Sequence, residues 1–301
     1  MIFAINRKIK KANRGGLPMN FGRTFRKIRK QRKISLQELA GDDLSYSFLA
    51  TFEREESMIS FETLCLLLKR LQLSLDEFFC LSLTEKIETD YEVFSKKAAE
   101  FLHTKNSLGL ENLADHEHNS AKKENFSFHK CNEIICKTVQ STFDNSISIS
   151  DSDRNFLIDY LWHIDVWTKY DLSILNYSLL IIPSNSLSVF IKEIWKSIPD
   201  DFLTDKLHSY KFNLINSMIA LLIEKNECDK AKKWIDKLKI KLHGSQDFFQ
   251  MVYLYMIELI LEKKTASNFE TEVKFNELKN FLVNIGAENY ALHFDSEWRS
   301  N

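Results

Sequence analysis

Residues 28–57, IRKQRKISLQELAGDDLSYSFLATFEREES, open in a burst of positive charge and close in an acidic cluster, with two helix starts between. Guanidinium and ammonium groups neutralise phosphates. Hydroxyl, aromatic and small apolar side chains early in a helix can meet base edges and thymine methyls. Arg23, Arg26 and Arg29 fall on one expected helix, and Ser45, Tyr46, Ser47, Phe48, Ala50, Thr51 and Arg54 on or beside another. These ten are the candidate DNA-binding residues, with Arg26 and Arg29 expected to fix register on the phosphate backbone.

Such chemistry needs short, well-capped helices to aim it. Asn20 is expected to cap a basic amphipathic helix over 21–33, with Phe21, Phe25 and Ile28 on its apolar face. Ser35-Leu36-Gln37-Glu38 is a capping box for a second helix that Gly41 ends. Ser45 or Ser47 starts a third helix running through Arg54, with Leu49 and Phe52 inward and Tyr46, Phe48, Ala50 and Thr51 around its exposed side. Ser60 opens FETLCLLLKRLQ, and SLDEFF makes a last short helix. The spacing therefore predicts a five-helix head over residues 20–80.

Charge separates this head from the rest of the chain. Residues 1–35 carry 12 Lys or Arg and no acid, and residues 1–80 carry 15 basic against 9 acidic groups. Residues 81–301 carry 26 basic against 33 acidic. A basic small domain on an acidic larger one is the footprint of a nucleic-acid binder joined to a sensing or assembly module, because phosphate attraction depends on local charge. With 7 Gly, 3 Pro and 44% hydrophobic residues in 301, the chain lacks the turn chemistry of a sheet and is expected to be all-α. Five scattered cysteines without a C-x-x-C pair fit reduced thiols in a cytoplasm, and no apolar run suggests a membrane span. Cys65 and Cys80 sit in apolar patterns and are expected to be buried. The segment 1–19 reads as a basic tail, either disordered or upstream of a start at Met19.

The head resembles the phage-repressor type of helix-turn-helix, and more closely the Rgg/GadR/MutR family of transcriptional regulators. FGRTFRKIRKQRKISLQELAGDDLS, FEREES and LLKRLQLSLDEFF carry the likeness. The chain departs from the family pattern at four positions: Leu36 and Phe48 stand where Gln is usual, Thr51 where Arg is usual, and Glu55 where Gly is usual. Arg and Gln are the side chains that read guanine and adenine edges bidentately. The resemblance implies a DNA-binding transcription regulator; the departures keep a second reading in play, an interaction adaptor whose head no longer reads sequence.

Residues 81–301 are expected to form a helical-repeat domain. LINSMIALLIEKNECDKAKKWIDKLK, 214–239, looks like a tetratricopeptide-type hairpin, with a turn at Lys225-Asn226-Glu227 and Ala231 permitting close packing, but no strict 34-residue period recurs. The block DYLWHIDVWTKYDLSILNYSLL, 159–180, resembles a segment near the middle of Rgg-family chains. The resemblance implies that this domain forms a homodimer and, in many members, receives a short pheromone peptide, as in quorum sensing. Amide side chains can hold the main chain of an extended peptide, which makes Asn176, Asn213 and Asn216 candidate clamps and Trp167 and Tyr170 candidate apolar walls.

His116, His118, His129, Cys131 and Cys136 are zinc-ligand types within a short stretch, but their spacing matches no structural zinc pattern. Phosphate-loop, dinucleotide, nucleophile-elbow and H-E-x-x-H motifs are absent, so no enzyme, metal or cofactor is expected.

Overall fold

The computed structural model describes residues 20–83, 88–124, 126–266 and 269–300. Among them lie sixteen α-helices, one short 3-10 turn and no strand, so the fold is all-α. The expected tail, residues 1–19, lies outside the described residues. The chain divides into two compact units that part between Val93 and Phe94.

The first unit holds the five expected helices: α1 Phe21–Gln31, α2 Leu36–Ala40, α3 Tyr46–Glu53, α4 Phe61–Arg70 and α5 Leu75–Ser82. Local capping sets their starts. Glu38 N donates to Ser35 Oγ at 3.1 Å while Ser35 N donates back to the Glu38 carboxylate at 2.7 Å, and Ser74 with Glu77 repeats the arrangement before α5. Asn20 departs from expectation: its side chain caps nothing, and its backbone N–H instead donates to Ser82 O at 2.9 Å, tying the start of α1 to the end of α5.

The apolar faces converge on Phe25, Leu49, Phe52, Leu67 and Phe78, with Phe25 edge-on to both Phe52 and Phe78. Two polar devices complete this small core. Arg70 Nη1 donates to the carbonyls of Leu39 and Ala40, both at 2.7 Å, so it satisfies the end of α2 just where Gly41 turns with φ +58°. Its other terminal nitrogen pairs with Asp43.

Arg29 is the second device. It is 7% exposed, and its Nε and Nη2 donate to the two carboxylate oxygens of Glu53 at 2.6 and 2.8 Å, while Nη1 donates to Ile34 O at 2.7 Å. The fork fastens α1 to the last turn of α3. At Gly22 a Cβ would lie 2.1 Å from Phe52 O, so only glycine lets these helices approach so closely.

The second unit begins in α6, Asp90–His103, and continues through α7 Ser107–Glu124, α8 Ser127–Ser141, α9 Asp151–Trp162, α10 Lys169–Ser178 and α11 Ser184–Lys196. It ends with α12 His208–Glu224, α13 Cys228–Leu242, α14 Phe248–Ala266, α15 Phe269–Asn284 and α16 Glu288–Ser300. Neighbouring helices pack in series, as a repeat array requires: α7 on α8, α8 on α10, α13 and α15 on α14, and α16 on α15. Helix α12 is the hub. It packs against α10, α11, α13 and α14, and Phe212, Ile215, Met218, Ile219 and Leu222 on it are fully buried. The turn to α13 falls at the expected Lys225–Glu227, with Asn226 at φ +62°, and Ala231 is fully buried where α13 closes on its neighbours.

Removing one member of a buried ion pair leaves the other charge uncompensated. Glu53→Ala should therefore destabilise the head by about 3 kcal/mol. In the full chain this appears as an early unfolding transition in urea monitored by circular dichroism, whereas a single unshifted transition would mean that Glu53 does not hold α3.

Candidate DNA interface and ligand groove

The start of α3 is the exposed chemical face of the head. Ser45 caps it, its Oγ accepting from Phe48 N at 3.2 Å, and Ser45 and Ser47 hydroxyls lie 3.3 Å apart at the surface. Tyr46 is 60% exposed. Phe48 is half-buried and packs on the core rather than standing on the exposed side as expected. Ala50 and Thr51 are also half-buried, and the Thr51 hydroxyl donates to Phe48 O at 2.7 Å. A helix N-terminus with surface hydroxyls and one protruding phenol fits contact with a nucleic-acid groove, its N–H groups and dipole favouring phosphate.

The candidate cations are held differently from one another. Arg29 is turned into the head and is a strut, so it does not stand at the surface as expected for a phosphate contact; its place four after Phe25 on the apolar stripe is the readable signal. Arg23 is exposed but pairs with Glu55 at 2.8 Å. Arg26 is exposed with Nε 3.9 Å from Glu53. Arg54 forms a two-bond fork with Glu56, both bonds at 2.7 Å, and these bonds raise the guanidinium pKa and lower that of the carboxyl. Lys27, Lys30, Arg32 and Lys33 are exposed along the same basic stretch and offer cations beyond the four candidate arginines.

In the second unit Asn176 on α10 and Asn213 on α12 come together on a groove of 330 Å³, whose walls include Leu172, Tyr177, Tyr210 and Leu214. Lys169 Nζ stands 5.6 Å from the centre of the Tyr210 ring. The other three expected residues lie elsewhere. Trp167 is buried, preceding the Thr168–Asp171 capping box of α10. Tyr170 donates toward Phe128 O at 3.2 Å and so ties α10 to α8. Asn216 is 1% exposed and bonds Gln250 inside the unit. Tyr177 and Tyr210 are groove residues that sequence reasoning does not single out, although each neighbours a groove asparagine on its own helix, one and three residues away.

A family model for the C-terminal domain of the helix-turn-helix-type transcriptional regulator Rgg matches residues 110–296. This chain belongs to the Rgg family. A helix-turn-helix model also matches residues 25–78 of the head. Among solved structures, the SHP pheromone receptor Rgg2 of Streptococcus dysgalactiae is 19% identical with a TM-score of 0.72, covering 93% of this chain and 98% of its own. PrgX in complex with cCF10 is 13% identical with a TM-score of 0.72, covering 93% and 99%. At these identities the likeness establishes a shared fold along nearly the whole chain. The two family models place the head and the groove-bearing repeats in a family of transcription regulators.

A glycine, which the resemblance implies at position 55, would suit the backbone found there. Glu55 adopts φ +62°, a left-handed conformation that costs a side-chain-bearing residue about 1–2 kcal/mol. Among the described residues no group of three or more His, Cys, Asp or Glu side chains is gathered as a metal site. His118 lies 3.1 Å from Glu133 and His129 lies 2.7 Å from Glu117, while Cys131 and Cys136 are buried, where desolvation pushes each thiol up to about 12. Cys65 and Cys80 are exposed, contrary to expectation, because each lies on the outward side of its amphipathic helix.

Glu55→Gly should stabilise the head by about 0.5–1 kcal/mol by relieving the left-handed strain. It also frees Arg23, and one added phosphate contact steepens the salt dependence of DNA binding by about one unit in log–log slope; an unchanged slope would mean Arg23 does not reach DNA. A thiol reagent at neutral pH should label Cys65 and Cys80 rapidly and Cys131 and Cys136 only on unfolding, as read by mass spectrometry of digests.

Proposed function

We propose that this protein is a cytoplasmic, homodimeric transcription regulator whose head, residues 20–80, binds operator DNA and whose repeats, residues 81–301, bind a short peptide. The observation that carries the reading is the pairing of an exposed, correctly capped α3 in the head with a groove that presents Asn176 and Asn213. Solved relatives described as an SHP pheromone receptor and as a bacterial peptide pheromone/receptor complex support the peptide half. Two half-sites about one helical turn apart, ~34–36 Å, demand two heads at a fixed spacing, so a ligand in the repeats can act by biasing that spacing.

One specific observation favours the adaptor as a second reading. Arg23, Arg26 and Arg54 each face a carboxylate, at Glu55, Glu53 and Glu56, beside the helix that would read DNA.

Fluorescence anisotropy separates the two. The full chain should bind duplex from beside its own gene more tightly than scrambled duplex, with the preference persisting as salt is raised. Tyr46→Ala should lower affinity for the first about tenfold, near 1.4 kcal/mol, and leave the second unchanged. Equal, steeply salt-dependent binding to both duplexes would support the adaptor.

A further inference from the structure

The groove residue Asn213 is the outer end of a buried chain of amides. Gln250 Nε2, at the start of α14, donates to Asn213 Oδ1 at 2.7 Å. Asn216 Nδ2 in turn donates to Gln250 Oε1 at 3.2 Å. Gln250 is fully buried and Asn216 nearly so, and Asn216 Oδ1 is buried without a hydrogen-bond partner. Asn213 itself is exposed and lines the groove.

What each direction of this chain leaves over decides between them. Reversing all three amides would keep both bonds but strand the Asn216 NH₂, two donors, in the core. The direction observed strands one Asn216 N–H and its carbonyl oxygen instead, and either direction leaves the second Gln250 N–H over. Buried orphan N–H groups are the rarer and costlier of the two, so the surrounding apolar residues of α12 select the observed direction. Its consequence reaches the surface, because with Oδ1 turned inward to Gln250 the Asn213 side chain turns its NH₂ toward the groove.

We infer that Gln250 is a positioning residue that polarises the groove, presenting Asn213 as an oriented donor, so that an occupant with a hydrogen-bond acceptor at that point is favoured. For a peptide that acceptor is a main-chain carbonyl or the terminal carboxylate. The inference rests on the peptide-binding reading for its ligand, whereas the orientation of the amide does not.

Two measurements on the full chain test it. With asparagine and glutamine side chains labelled with ¹⁵N, the free protein should show a Gln250 NH₂ protected from solvent exchange and an Asn213 NH₂ exchanging freely. The reversed chain would keep the Gln250 NH₂ protected and protect the Asn213 NH₂ as well, and that outcome overturns the inference without any ligand. In the second, a synthetic library of eight-residue peptides, free-acid and amidated, is screened for retention by mass spectrometry. Asn213→Ala should weaken the peptides retained by wild type about tenfold; loss of retention on amidation would assign the acceptor to the terminal carboxylate, and its persistence to a main-chain carbonyl.

Gln250→Glu removes the donor at 250, so at pH 8.5 the Asn213 amide must turn its NH₂ inward, and retained peptides should weaken about tenfold. At pH 5.5 a protonated carboxyl can donate to Oδ1 again and binding should recover toward wild type. Wild type at the same two pH values controls for His208, whose Nε2 lies 3.2 Å from Asp247 at the start of α14. If the buried acid prevents folding, Gln250→Leu supplies the test, freeing Asn213 to rotate and weakening binding a few-fold. Wild-type affinity in a folded position-250 variant, together with a loss in Asn213→Ala, overturns the positioning role. No retention by wild type overturns the peptide reading, and the exchange measurement then decides the orientation alone.

Discussion

The bidentate contact between Arg29 and Glu53 is the constraint on which the head depends. A head of about sixty residues buries a smaller share of its surface than a larger domain, so packing alone leaves five short helices little margin. Helix α3 has only eight residues and no long apolar face, and it must nevertheless present its first turn rigidly. The Arg29 fork reaches Glu53 in the last turn of α3 and the carbonyl of Ile34 beyond α1, so one side chain holds both the helix and the loop before α2. Gly22 permits the approach that makes this reach possible, and Phe25, one turn before Arg29, supplies the apolar floor beneath it. The pair gives geometric definition where burial gives attraction, a division of labour suited to a bidentate Arg–carboxylate contact.

The larger unit meets the same need with amides. Helix α12 touches four other helices, and nearly all of its faces are apolar, yet Asn213, Asn216 and Gln250 run a polar thread from its interior to the groove. A partly satisfied polar chain in a core costs stability. That cost is offset at the surface if the chain fixes a groove side chain that the proposed ligand meets. The head and the repeats thus each carry a buried polar device whose visible effect lies at an exposed residue.

Much of the head is legible in the sequence because capping is a local rule. Ser35 with Glu38 and Ser74 with Glu77 declare helix starts within four residues, and the observed helices begin where those boxes place them. The expected α12–α13 hairpin is legible for a similar reason, a polar turn between two periodic apolar runs. Which of several like residues faces inward is less so. Charge groups Arg29 with Arg23 and Arg26, although its register with Phe25 sets it on the buried face. Trp167, with Thr168, Asp171 and Leu172, has the spacing of an apolar staple around a capping box, a helix-start pattern rather than a groove wall. Asn213 and Asn216 lie only one turn apart on α12, and no pattern within the helix tells which one a partner on α14 draws inward.

The acids beside α3 then have a definite physical meaning. Glu55 and Glu56 hold Arg23 and Arg54 through exposed contacts, and exposed ion pairs are weak because water and salt already screen both charges. A phosphate backbone presents a denser array of charge and releases counterions when it is neutralised, a gain that a single surface carboxylate does not match. Exchange of a carboxylate partner for a phosphate is therefore favourable at low ionic strength and becomes less so as salt rises. Glu53 differs, because it is buried and committed to Arg29, so its hold on the more distant Arg26 is the weaker of its two contacts. The carboxylates around α3 lower the head's general attraction for any duplex while leaving the Ser45–Ser47 face uncovered. On the proposed DNA-binding reading, the charge-driven contribution to binding is reduced while the face that would distinguish sequences stays open.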